Sequence, residues 1–83
     1  MDEFTRPSEE VIKQWQDQLL GKYILEPNEP LDGLTEDEVV RSNTLRQPVQ
    51  VLPPGAPMIR NLVPGRMNVF IDDNKKTTQV YFG

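Results

Sequence analysis

Apolar residues fall at two different spacings along this chain, helical in the first half and alternating in the second. Val11, Ile12, Trp15 and Leu19 recur at helical spacing and predict a helix over residues 7–20 with one apolar face. Pro7 suits its first turn, Ser8, Glu9 and Glu10 suit its positive start, and Gly21 supplies a stop. Residues 23–33, with Pro27, Pro30 and Gly33 among acids, read as a connector that can hold a short extended piece at Tyr23-Ile24-Leu25. Thr35 and Glu38 have the spacing of a capping box, and Leu34 and Val39 that of a hydrophobic staple. They predict a second helix over 36–45 that buries Val39, Val40 and Leu45.

Beyond Pro48 the pattern alternates. Strands are expected near 48–52, 66–72 and 77–82, and the polar turn 72–76 makes the last two an antiparallel pair. Met67, Val69 and Ile71 point to the core with Trp15 and Val39, while Arg66, Asn68 and Phe70 point the other way. The expected fold is α+β: one domain spanning 1–83, with a small sheet packed on one or two helices and a frayed polar tail at 1–6.

Residues 53–65 break both periods. Pro53, Pro54, Pro57 and Pro64, with Gly55 and Gly65, exclude a helix and remove ladder donors. Loops of this length in small domains are usually functional or disordered. Met58, Ile59, Leu62 and Val63 are apolar, and each proline fixes a backbone angle, so the expectation is a stiff, exposed, extended loop. It would display Met58-Ile59-Arg60-Asn61-Leu62, much as a protease substrate is held when bound.

Composition narrows the chemistry. The 83 residues can bury only a small core. With no histidine and no cysteine there is no Ser-His or Cys-His nucleophile pair, no imidazole or thiolate metal site and no disulfide. The carboxylate runs 36–38 and 72–73 fit a helix start and a turn, so neither catalysis nor a cofactor is expected. Net charge is −4, with eleven acids and five bases in residues 1–47 against two acids and four bases in 48–83. No basic stripe invites nucleic acid, and no apolar run approaches membrane-spanning length. Met1 as the native start places the chain in the cytoplasm; a signal removed upstream would leave secretion open. A monomer is expected.

The second half resembles the potato type I inhibitors of serine proteases, especially their bacterial and fungal relatives. That family leads into its loop with Leu-Pro-x-Gly, here Leu52-Pro53-Pro54-Gly55. It leaves the loop through an arginine and an alternating strand ending in aspartate, here Arg66-Met67-Asn68-Val69-Phe70-Ile71-Asp72. The bacterial and fungal string Pro-x-Arg-Leu-Asn-Val is similar to Pro64-Gly65-Arg66-Met67-Asn68-Val69, and its closing Val-x-Cys-Gly to Val80-Tyr81-Phe82-Gly83. Residues 15–22 are similar to the family's Trp-x-x-Leu-(Leu/Val)-Gly-Lys segment, and 23–33 looks like an insertion.

The resemblance implies a reactive-site loop contacting a trypsin-like or subtilisin-like protease through Pro57, Met58, Ile59, Arg60, Asn61 and Leu62. It sets the scissile bond between Arg60 and Asn61, with Arg60 as P1, and makes the strands flanking the loop parallel. It also implies that Arg66 and Asn68 support the loop from below. Three positions depart from the family: Ile59 stands where threonine is common, Asn61 where an acid is common, and Phe82 where the bacterial and fungal branch has cysteine. The rival expectation is a module of the same fold that holds a non-protease partner with the same loop.

Overall fold

The computed structural model describes residues 7–56, 63 and 65–83. Its order is α1 (Glu9–Leu19), β1 (Tyr23–Leu25), β2 (Val39–Arg41), β3 (Val49–Leu52), β4 (Met67–Ile71) and β5 (Thr77–Phe82), with 3₁₀ turns at Glu36–Glu38 and Ser42–Thr44. The architecture is α+β, as expected: one helix against a three-stranded sheet, with a smaller parallel pair beside it.

Ser8 caps α1, its Oγ accepting the Val11 N–H at 3.3 Å, so Pro7 precedes the helix and does not occupy its first turn. Ile12 and Leu19 are buried, and Trp15 packs against the same cluster from a half-buried position. The helix lies on β5, where Gln16 Nε2 donates to the Val80 carbonyl at 3.1 Å.

The sheet order is β3-β4-β5, with β3 and β4 parallel and β4 and β5 antiparallel. Its helix-facing side carries Val49, Val51, Met67, Val69, Ile71, Val80 and Phe82, which join Ile12, Leu19, Ile24 and Leu45 in one core. Met67 and Val69 are wholly buried there, whereas Ile71 is half-buried at its margin. The opposite side is not simply wet. Leu52 and Asn68 are buried on it, and Phe70 stacks on Tyr81 with ring centroids 5.7 Å apart.

The second helix does not form. Its capping box is present, with the Thr35 N–H donating to Glu38 Oε1 at 2.9 Å, but it closes only the 3₁₀ turn Glu36–Glu38. Val39 and Val40 then run extended as β2, in parallel register with Tyr23 and Ile24. Two β-branched residues fit a ladder better than a helix, and Ser42, Asn43 and Thr44 favour a turn. Arg41 fixes the arrangement by donating from Nη1 to the Glu26 and Glu29 carbonyls. Of the residues assigned to this helix, Leu45 is buried, while Val39 and Val40 are half-buried.

β1 also ties the small sheet to the hairpin between β4 and β5. Ile24 N–H donates to the Lys75 carbonyl at 2.9 Å, and Thr77 N–H to the Lys22 carbonyl at 2.7 Å. The expected connector at 23–33 is therefore part strand and part strap across the hairpin tip.

Candidate functional site

The parallel register of β3 and β4 dictates where the proline-rich segment must go. Val49 pairs with Met67 and Leu52 with Phe70, so the chain leaves β3 beside Phe70 and re-enters β4 beside Val49. Residues 53–66 return along the whole length of the strands, roughly 13 Å at the usual rise for four residues. Parallel neighbours always need such a crossing, and most use a helix for it. Among the described residues of this one (53–56, 63, 65 and 66), none lies in a helix or strand.

Both feet are built into the domain. At the first, Leu52 is buried and residues 53–56 close a turn in which Ala56 N–H donates to the Pro53 carbonyl at 3.1 Å. Gly55 holds a positive φ of 79° there. A side chain at that position would be strained by the backbone conformation, although no described residue would come within 4 Å of its Cβ. At the second foot Gly65 is buried, Arg66 N–H donates to the Val63 carbonyl at 2.9 Å, and Met67 N–H to the Pro48 carbonyl at 2.9 Å.

Pro57, Met58, Ile59, Arg60, Asn61 and Leu62, the residues expected to meet a protease, lie outside the described residues. The two expected supports do not. Arg66 is half-buried; its Nη2 donates to the Gly83 main-chain oxygen at 3.2 Å, and Gly83 N–H returns a bond to the Arg66 carbonyl at 3.0 Å. Asn68 has no exposed surface and donates from Nδ2 to the same Gly83 oxygen at 2.9 Å. The two side chains thus converge on one acceptor just beyond the end of β5. The residue that sequence reasoning missed is Gln50, whose Nε2 donates to Asn68 Oδ1 at 2.7 Å. The only hint in the sequence is that Gln50 is the one polar residue in the strand Val49-Gln50-Val51-Leu52, a pattern that by itself reads as a solvent-facing position.

Comparison with family models, curated proteins and solved structures finds no match for this chain. Its chemistry must be read from its own residues. Among the described residues no group of three or more side chains could hold a metal ion, and no helix is long and apolar enough to cross a membrane. The carboxylates with altered acidity are structural. Glu29 is held below its ordinary value by the hydrogen bond from Lys75 and then by the Glu26 N–H, and Glu38 by its bonds from the Thr35 backbone and hydroxyl. Both lie on the 26–38 segment, outside the 53–66 crossing in the chain.

Proposed function

We propose that this chain inhibits serine proteases by presenting residues 57–62 as a substrate-like loop, with Arg60 as P1 and Arg60–Asn61 as the bond offered for cleavage. The observation that carries the reading is the parallel β3–β4 pair: it makes residues 53–66 one crossing anchored in the domain at both ends, with Arg60 between its prolines. The likeness of the flanking motifs to the potato type I inhibitors supports the same reading. A loop tethered at both feet binds with less loss of freedom, about 0.5–1.5 kcal/mol for each side chain that need not be ordered. Arg60 suits an S1 pocket with an acid at its base, as in trypsin-like enzymes, or a subtilisin-like pocket that accepts basic residues. Tethered ends also remain together after cleavage, so religation competes with release.

Titration of trypsin and of a subtilisin with the full chain tests this. The expected result is a stoichiometric block of at least one enzyme, with the chain recovered intact or cut only after Arg60. Arg60→Leu should then weaken the block of trypsin by about a hundredfold or more, because the S1 acid is left unpaired. Rapid cleavage without inhibition would leave the binding-module reading in its place. Equal inhibition of trypsin by both proteins would show that Arg60 is not P1.

A further inference from the structure

Two amide side chains face each other across the β3–β4 ladder, on the side of the sheet away from α1. Gln50 and Asn68 are register partners, joined by the 2.7 Å bond from Gln50 Nε2 to Asn68 Oδ1. Asn68 is completely buried, and its Nδ2 faces the main-chain oxygens of Arg66, Tyr81 and Gly83 at 3.5, 3.4 and 2.9 Å. Those oxygens fix the amide's orientation, because a flip would set Oδ1 against all three. Asn68 can therefore offer only Oδ1 to β3, and Gln50 is the donor that meets it. The bond links the strand leading into the crossing with the strand leading out of it.

We infer that Gln50 is a positioning residue, whose bond to Asn68 keeps the two feet of the crossing in register once the peptide bond between them is broken. The inference rests on the inhibitor reading. Hydrolysis of Arg60–Asn61 consumes one water and leaves a carboxylate on Arg60 and an amine on Asn61; religation returns that water and reforms the bond. Religation is effectively unimolecular only while both new ends are held close. In the intact chain the crossing itself joins the feet. In the cut chain that constraint is gone, and the ladder, the core and the amide bond must do it alone. Loss of the Gln50 bond therefore frees the cut form more than the intact one. The bond is between neutral groups and shielded by the buried Asn68, so salt does not screen it.

The test is the ratio of cut to intact chain reached with a catalytic amount of trypsin, measured by mass spectrometry on the full chain. Gln50→Leu should raise that ratio about twofold to tenfold, the range for one neutral hydrogen bond, and by the same factor at low and high salt. Gln79→Ala, which removes an exposed amide of β5 from the same sheet face, should leave it unchanged. A Gln50→Leu protein with a lower urea midpoint but an unchanged ratio makes Gln50 an ordinary strand residue and overturns the inference. Complete cleavage of the wild type would instead defeat the inhibitor reading. The role of the Gln50–Asn68 bond is then read from the rate at which residues 61–83 leave the cut protein: Gln50→Leu must raise it at least about twofold, and equal rates overturn the inference.

Discussion

Thr77 buries a hydroxyl with no hydrogen-bond partner among the described residues, although its backbone is bonded to Gly21 and Lys22. A buried hydroxyl left unsatisfied costs about 1–3 kcal/mol, and valine has nearly the same shape without that cost. Thr77→Val should therefore stabilise the domain by about 1 kcal/mol, raising its melting temperature by about 4–8 °C in calorimetry. A lower melting temperature would mean that the hydroxyl has a partner in solution. At this scale the sequence was informative about sidedness and silent about wetness. Alternation correctly separated Met67 and Val69 from Asn68, but it could not reveal that Asn68 is as buried as they are. Two-residue periodicity tells which residues share a face, not whether something covers it. The same gap hid Gln50, which looks like a solvent-facing residue until Asn68 is seen opposite it.

Among the elements, α1, β3, β4 and β5 follow the sequence pattern closely, and β1 was expected as a short extended piece. The second helix failed because a start signal is not a helix. The Thr35–Glu38 box is real, but four residues later the chain gains more from pairing Val39 and Val40 with Tyr23 and Ile24. That pairing is non-local, and no local window contains it. Charge holds the resulting strap in place: Lys75 bonds Glu29, and Lys22 Nζ donates to the Asp37 carbonyl. Because Glu29 and Glu38 are more acidic in the folded chain than their ordinary value of 4.5, their contribution is complete above that value. It is lost as pH falls through their depressed folded values. Stability followed by urea midpoint should thus decline below about pH 4.5, and Glu29→Gln with Glu38→Gln should flatten that decline. An unchanged acid limb in the double variant would assign it to other carboxylates.

For the whole molecule, the fold separates what holds it together from what it is proposed to do, and the boundary runs between two neighbouring residues. Met67 begins β4 pointing into the core with no exposed surface, next to Val69 and opposite Phe82. Arg66, one position earlier, is half-buried and bonded to Gly83 at the foot of the crossing. A domain of this size has roughly 4–12 kcal/mol of total stability. Met67→Ala should remove about 2–5 kcal/mol of it through lost burial and the cavity left behind. That is enough to lower the urea midpoint sharply while the folded fraction still offers the same bond to a protease. Arg66→Ala should cost less, near the low end of the roughly 1.5–3 kcal/mol typical of a charged donor, because the group is only partly shielded. Its larger effect should fall on the crossing: faster cutting of the Arg60–Asn61 bond by a trypsin-like enzyme, in protein that is still folded at the assay temperature. Cleavage rates and urea midpoints measured on both variants separate the two roles. If Met67→Ala speeds cleavage as much as Arg66→Ala at equal folded fraction, the loop is held by the core alone and Arg66 is no support.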